Sequence, residues 1–264
     1  MKSLAFIGSA ALLALGVIAA TRTPPAPSNG RGVAVVELFT SQGCSSCPPA
    51  DVVLSELGKE KFDGVVVPLA FHVDYWNQIG WTDPFSSPRW SDRQRAYAAA
   101  MKSTQVYTPQ VVINGREQLV GSYGSRVRAE IAKQLKSDAR GTVAIRNVQR
   151  NGSNVTVDFD ASLRGAGAAD VQVVVFESGV TTSVASGENS GRKLTNDFIV
   201  RAMKTAPLGS KSVTLPLDAR WRTQQLGVAV FLQDPKSLAI YGAATTEKNF
   251  VARVDLADSR SMYQ

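Results

Sequence analysis

Residues 33–57 have the sequence VAVVELFTSQGCSSCPPADVVLSEL. The first seven residues form an apolar run rich in β-branched side chains, which predicts a short buried strand. Two cysteines, Cys44 and Cys47, follow in a loop. Pro48 and Pro49 suit only the first turn of a helix, and the apolar residues after them recur at helical spacing. The stretch therefore predicts a strand, a C-x-x-C loop and a helix, in that order.

The residues that follow predict the remaining elements of a small α/β unit. An apolar run without alternation predicts a second strand, buried on both faces as in a parallel pair. Ser91 is a candidate N-cap for a helix, and the Asn-Gly pair at 114–115 is a hairpin signal between two short strands. The predicted elements are a strand over 65–73, a helix over 91–103, strands over 110–113 and 117–120, and a helix over 125–135. This order of elements resembles that of a thioredoxin-like domain.

The pattern changes after residue 140. Short runs that alternate apolar and polar residues, separated by turn residues, predict strands over 142–148, 155–159, 171–178, 212–217, 226–233 and 238–244. Such a series is typical of an all-β sandwich or barrel. We therefore predict an α/β thioredoxin-like N-terminal domain over residues 33–138 and a C-terminal all-β, sandwich-like domain over residues 141–264.

The N-terminal residues have the composition of an export signal. Lys2 precedes an almost wholly apolar segment that ends at Ala20, and small residues at its end suit a cleavage site. Residues 1–20 are therefore predicted to be a signal peptide, and the proline-rich residues 21–32 a flexible leader. The predicted location is periplasmic or secreted, with membrane attachment only if residues 1–20 are retained as an anchor.

The charge of the chain argues against a nucleic acid partner. The formal net charge is +7, but the Lys and Arg residues are scattered singly among acidic residues. A protein that binds a phosphate backbone concentrates its basic residues in a run or on one face. This sequence has no such run.

The C-x-x-C pair is the candidate reactive site. A disulfide that closes so short a loop adds only about 2 kcal/mol of stability by chain-entropy arguments, so the pair suits reversible chemistry better than a structural role. A helix N-terminus lowers the pKa of a cysteine and raises its thiolate fraction. Cys44 is the predicted attacking residue and Cys47 the resolving residue, with no dissociable cofactor. Two alternatives are an inert disulfide and a soft metal ion such as Cu(I) held by Cys44, Cys47 and His72.

Three further residues are candidates for tuning the cysteines. His72 is the sole histidine, and it is either a satisfied interior residue or a group that tunes Cys44. Glu37 lies within the first predicted strand and could accept the proton of the resolving thiol, unless it faces solvent. Asp74 begins a long segment with several aromatic residues, which either lines a substrate groove or packs onto the domain.

Thr108 and Pro109 come directly before the third predicted strand. At this point the chain resembles the thioredoxin superfamily, in which a Thr or Val before a cis-proline opens the strand that faces the C-x-x-C pair. The resemblance implies that Pro109 is cis and that the backbone of Thr108 pairs with a substrate segment.

A closer resemblance rests on four segments. They are ELFTSQGCSSCPPAD at 37–51, FHVDYW at 71–76, YTPQ at 107–110 and GENSGR at 187–192. These segments are similar to the DUF1223 family of exported proteins of unknown function. The last of them is predicted to be either a plain loop or a contact to the first domain or a partner.

These observations lead to two hypotheses of different classes. The first is an exported thiol–disulfide oxidoreductase of the cell envelope that acts on protein or small-molecule thiols and disulfides. The alternative is a non-catalytic binding protein, either a Cu(I) carrier or an adaptor with an inert disulfide.

Overall fold

A computed structural model describes residues 32–246. Within them the chain forms thirteen β-strands, three α-helices and one short 3₁₀ turn. The first half contains β1 (Val33–Thr40), α1 (Pro48–Leu57), β2 (Val65–His72), α2 (Pro88–Ala100), β3 (Gln110–Ile113), β4 (Glu117–Val120) and α3 (Gly124–Leu135). The second half contains β5 (Gly141–Asn151), β6 (Asn154–Leu163), β7 (Asp170–Glu177), β8 (Val180–Ser183), β9 (Lys193–Asn196), β10 (Ile199–Pro207), β11 (Ser212–Pro216), the 3₁₀ turn (Thr223–Gln225), β12 (Leu226–Gln233) and β13 (Ile240–Thr245).

Eight of the strands form one mixed sheet, in the order β13-β12-β7-β10-β2-β1-β3-β4. β1 and β2 are parallel and are paired from Val33 opposite Val65 to Thr40 opposite His72. β3 runs antiparallel to β1 on its other side. Strands in the middle of a sheet that is covered on both faces are apolar along most of their length, as β1 and β2 are. Their carboxyl ends lie side by side.

The predicted fold class, an α/β thioredoxin-like domain followed by a separate all-β domain, is wrong. β10 joins the two halves, because Ile199 lies opposite Ala70 of β2 in parallel pairing and the rest of the strand pairs antiparallel with β7. One sheet therefore continues from the half with the C-x-x-C pair into the second half. No strand was predicted at the position of β10, and the predicted elements therefore contained no strand through which the halves could join.

The apolar core crosses between the halves in the same way. One cluster of buried side chains includes Leu38 and Phe71 from the first half and Phe176 and Phe231 from the second. A second cluster lies where β7 and β12 meet a three-stranded sheet of order β11-β6-β5. Burial of apolar surface is the main favourable contribution to folding, so the two halves stabilise each other.

Two of the helices begin at proline. α1 begins at Pro48, directly after Cys47, as predicted. α2 begins at Pro88, and Ser87 is its N-cap, with a side chain that accepts a hydrogen bond from the first turn. The predicted N-cap, Ser91, lies inside the helix.

The N-terminal predictions fall on residues that the structure does not describe. The signal peptide over 1–20 lies outside the described residues, and so does the leader except for residue 32. Within residues 32–246, no helix has the length and apolar composition needed to cross a membrane.

Candidate functional site

The C-x-x-C loop, residues 41–47, leaves the carboxyl end of β1 and enters α1. Cys44 and Cys47 form a disulfide, with their Cα atoms 5.4 Å apart. The side chains of both cysteines are fully buried, whereas Ser45 and Ser46 between them are exposed. The predicted reactive pair is therefore oxidised and enclosed, beneath an exposed pair of serines.

The N-terminal end of α1 begins at this disulfide. The Cys47 carbonyl accepts hydrogen bonds from the main-chain N–H groups of Ala50 and Asp51, at 2.8 and 3.2 Å. Pro48 and Pro49 have no N–H to donate. The first turn therefore stabilises a thiolate through the helix dipole and not through the N–H groups of these two residues. The positive end of the helix dipole still favours a thiolate over a thiol when the disulfide is reduced.

A buried ion pair lies at the carboxyl end of β2. His72 Nδ1 and Asp83 Oδ2 are 2.7 Å apart, and neither side chain is exposed. The main-chain N–H of Gln42 donates to the same Asp83 oxygen at 2.8 Å. Burial alone would lower the pKa of His72, but the charge and hydrogen bond of Asp83 outweigh it and raise the pKa. Burial likewise opposes ionisation of Asp83, yet the charge of His72 holds the Asp83 pKa below its usual range.

Asp51 lies close to this ion pair and was not among the predicted site residues. Burial raises the pKa of Asp51 from 3.8 to about 7, although the charge of His72 offsets part of this effect. Residues four apart on a helix lie on the same face, so Asp51 follows Cys47 on the buried face that also carries Leu54. A carboxyl at this spacing from a cysteine, on an otherwise apolar helix face, is the sequence signal that identifies it.

Glu37 lies on the other face of the sheet from α1. Successive strand residues point to opposite faces, and Glu37 shares a face with Phe39, which packs against Tyr97 of α2. The Glu37 carboxylate accepts hydrogen bonds from Arg93 at 2.6 and 2.9 Å and from the Tyr97 hydroxyl at 2.5 Å. Glu37 therefore holds α2 on the sheet.

The bond between Thr108 and Pro109 is cis, as the resemblance implies. Thr108 Oγ1 accepts a hydrogen bond from the indole N–H of Trp76 at 2.8 Å. The Trp76 side chain also lies so close to Gly43 that a Cβ added there would be 3.1 Å from it. Trp76 therefore connects the segment before β3 with the C-x-x-C loop.

Asp74 is hydrogen bonded to the first half of α2. Its main-chain N–H donates to Ser91 Oγ at 3.1 Å, and its carboxylate accepts from the same hydroxyl at 2.5 Å. The neighbouring Tyr75 hydroxyl donates to Gln94 at 3.1 Å. These contacts pack the segment between β2 and α2 onto the helix.

A hairpin formed by β8 and β9 covers the C-x-x-C loop, and we call its connecting residues 184–192 the tip loop. The buried Asn189 side chain donates to the carbonyls of Gln42 and Cys44, at 2.9 and 3.0 Å. The Glu188 carboxylate accepts a hydrogen bond from the main-chain N–H of Ser45 at 2.8 Å. Of the two predictions for the GENSGR segment, the contact to the first half of the chain is therefore confirmed.

The alternative metal site involves His72 together with the two cysteines. The Nδ1 atom of His72 is engaged by Asp83, which leaves Nε2 as the ring atom available to a metal. In the part of the chain that the structure describes, no group of three or more His, Cys, Asp or Glu side chains is arranged to hold a metal ion. The Cu(I) alternative stays a prediction for the reduced protein.

Comparison with known proteins shows which family the chain matches and which solved structures it is similar to. The family described as "Protein of unknown function (DUF1223)" matches residues 35–233. The chain is similar to the crystal structure of protein AGR_C_4864 from Agrobacterium tumefaciens, with 34% identity, a TM-score of 0.64, and coverage of 82% of this chain and 95% of that one. It is similar in fold to HBP35 of Porphyromonas gingivalis, with 15% identity, a TM-score of 0.64, and coverage of 84% of this chain and 77% of that one. No curated protein sequence matches the chain.

Proposed function

The chain belongs to the DUF1223 family, and from this premise we propose that it is a thiol–disulfide oxidoreductase that acts through the Cys44–Cys47 disulfide on protein or small-molecule thiols. One observation carries the proposal: the disulfide lies at the N-terminal end of α1, and the buried carboxyl of Asp51 follows one turn later on the same face. The helix end stabilises a sulfur anion. The carboxyl can supply or remove the proton that accompanies the exchange.

The exchange takes place in two steps. A substrate thiolate attacks Sγ of Cys44, a bond forms between these two sulfurs, and the bond between Cys44 and Cys47 breaks with its electron pair left on Cys47. A second substrate thiolate attacks the substrate sulfur of this mixed disulfide and releases Cys44 as a thiolate. The protein disulfide has then gained two electrons, and two substrate thiols have become one disulfide. The same steps in reverse reduce a substrate disulfide.

In this scheme Asp51 donates a proton to Cys47 as it leaves and accepts the proton when Cys47 attacks. A carboxyl with a pKa of about 7 is present in both its acid and its base form near neutral pH. A carboxyl with an ordinary pKa near 4 would be almost wholly ionised and could not donate. The burial of Asp51 therefore suits both directions of exchange.

The proposed place of action is the cell envelope or the exterior. Disulfides form and persist in oxidising compartments and are rare in the cytosol. The disulfide between Cys44 and Cys47 supports this location together with the predicted signal peptide over residues 1–20, which stays a prediction.

A mixed disulfide with glutathione tests the activity. Cys47→Ala keeps Cys44 and removes the resolving thiol, so we expect it to accumulate a stable adduct with glutathione disulfide, visible as a mass shift. The matched control, Cys44→Ala, keeps only Cys47 and should form the adduct at least about tenfold more slowly. The wild-type disulfide should reach a redox equilibrium in glutathione buffers, and a disulfide that these buffers never reduce, with no adduct on Cys47→Ala, would exclude the proposed function.

The role of Asp51 has its own readout. The rate of exchange in wild-type protein should change with pH around the Asp51 pKa of about 7. Asp51→Asn should abolish that inflection, whereas a residue with a purely structural role would shift the rate equally at every pH.

A further inference from the structure

The tip loop makes a specific polar contact with the C-x-x-C loop. Asn189 donates both of its side-chain hydrogen bonds to main-chain carbonyls, those of Gln42 and Cys44. Its Oδ1 atom accepts a hydrogen bond from the Arg192 guanidinium at 2.7 Å. Asn189 is 1% exposed, and a buried amide whose donors and acceptor are all satisfied fixes one arrangement of its neighbours. The tip loop is therefore held in a defined closed position.

A second contact places a negative charge next to the attacking cysteine. The Glu188 carboxylate is exposed to solvent and accepts the main-chain N–H of Ser45, the residue after Cys44. Hydrogen bonds from Ser45 lower the pKa of Glu188, so the carboxylate is charged at neutral pH. In the oxidised protein the two cysteines are uncharged and do not repel this carboxylate. In the reduced form a Cys44 thiolate would add a second negative charge one residue from the Ser45 N–H that Glu188 contacts, and like charges repel.

The hairpin that carries the tip loop can move without disturbing either larger sheet. Among the described strands, β8 and β9 pair only with each other. β9 is fixed by the buried Leu194 and by Asn196, whose Oδ1 accepts a hydrogen bond from Gln42 Nε2 at 2.9 Å. The tip loop is held by hydrogen bonds of Ser186, Glu188 and Asn189 to the first half and by its own buried Val184 side chain. Opening the tip loop breaks these contacts and leaves the pairing within the two larger sheets intact.

We propose that the tip loop is an autoinhibitory cover for the disulfide, closed in the oxidised protein and released when Cys44 becomes a thiolate. This inference rests on the proposed function for its biological meaning, although its contacts do not depend on any substrate. The closed loop occupies one main-chain N–H and two carbonyls of the C-x-x-C loop. A protein substrate that replaces the loop must satisfy those groups, and an extended segment does so through its main-chain hydrogen bonds.

Thermodynamic linkage couples the position of the tip loop to the redox state of the disulfide. If the closed tip loop prefers the oxidised protein, opening the loop must make the disulfide easier to reduce by the same factor. A partner protein that displaces Asn189 and Glu188 would therefore expose Cys44 and favour its reduction in one event.

The rate of reduction by the phosphine TCEP tests the cover without a substrate. Asn189→Ala removes two hydrogen bonds between the tip loop and the C-x-x-C loop, and we expect the full-length oxidised protein to be reduced about tenfold faster. The matched control is Thr195→Val, an exposed position in the same hairpin whose hydroxyl is hydrogen bonded to that of Thr181, and its rate should stay within about twofold of wild type. Circular dichroism establishes that each variant is folded. An unchanged rate in Asn189→Ala would overturn the proposal.

Glu188→Gln separates the charge from the hydrogen bond, because its side-chain carbonyl can still accept the Ser45 N–H. In wild-type protein we expect amide hydrogen exchange across residues 180–196 to accelerate on reduction. In reduced Glu188→Gln the same residues should stay more protected, since no carboxylate faces the Cys44 thiolate. Equal exchange in oxidised and reduced wild-type protein would exclude redox-coupled release. Failure of the glutathione adduct would exclude the exchange activity and leave these two measurements unaffected.

Discussion

Replacement of Asp51 by asparagine is expected to change how the stability of the folded protein depends on pH. The pKa of Asp51 is raised by burial from 3.8 to about 7. In the unfolded chain the carboxyl regains its usual pKa. Between these two pKa values the folded protein holds a proton that the unfolded chain has lost, so the free energy of unfolding falls as pH rises through this range. Asparagine carries no such proton, and the variant lacks this part of the pH dependence.

The size of the effect follows from the two pKa values. At 1.36 kcal/mol for each pH unit, the rise from 3.8 to about 7 amounts to about 4 kcal/mol. The difference in unfolding free energy between Asp51→Asn and wild type should therefore shift by about 4 kcal/mol in favour of the variant between roughly pH 3.5 and pH 8.5. The charge of Asp51 also raises the pKa of His72, so the difference includes the change in His72 titration that the substitution causes.

Urea unfolding of the oxidised proteins at a series of pH values measures this difference. Asp63→Asn, at an exposed aspartate of the same half, is the matched control for the loss of one carboxylate. The reasoning is refuted if the difference for Asp51→Asn is the same at both ends of the range, because the carboxyl would then be equally acidic in the folded and unfolded protein.

Four further substitutions test the fold. Glu37→Gln leaves the largely buried Arg93 charge without its partner, so the free energy of unfolding should fall by about 3–5 kcal/mol, while the rate of disulfide reduction stays unchanged. Asn114→Ala removes the side-chain hydrogen bonds to the Val35 N–H and the Val33 carbonyl of β1 and should cost about 2–3 kcal/mol, measured by urea unfolding. Gly115 and Gly152 both have a left-handed φ, +64° and +58°, but a Cβ at the first would meet backbone at 2.0 Å and one at the second would meet open space. Gly152→Ala should lower the free energy of unfolding by about 1–2 kcal/mol through backbone strain alone, and Gly115→Ala should lower it clearly more. Equal decreases in melting temperature for the two variants would contradict this, because the contact of the new Cβ with the backbone of Leu238 would then have no effect.

The strands around the C-x-x-C pair could be predicted from the sequence because local signals agree there. The Asn-Gly turn predicted β3 and β4 with their observed ends, and the prolines after Cys47 predicted the start of α1. β10 could not be found in this way. Its residues Ile199–Pro207 include two basic side chains, and most residues are buried at the start of the strand and exposed toward its end. The strand therefore shows neither an alternating pattern nor a continuous apolar run. Its pairing with β2 and β7 is a long-range choice that local patterns do not encode.

The site shows the same division between local and distant information. The cysteines and the His72 position follow from patterns within a few residues, whereas the cis bond before Pro109 was implied by the family resemblance. Glu37 was predicted as the acid that serves the cysteines, and Asp51 was not predicted. Glu37 lies on the face of the sheet opposite α1, whereas Asp51 follows Cys47 at helical spacing. Which face of the sheet carries α1 depends on long-range packing that the local sequence does not encode.

The segment that joins the two halves carries the tip loop, which we propose as a cover for the disulfide. The chain leaves β7 at Glu177, forms the β8–β9 hairpin over the C-x-x-C loop, and returns as β10 to pair with β2. Because the hairpin lies between two strands of the continuous sheet, its base is fixed relative to the disulfide. Two independent domains joined by a linker would not hold Asn189 within hydrogen-bond distance of the Cys44 carbonyl. The continuous sheet is therefore what makes a cover for the disulfide physically feasible.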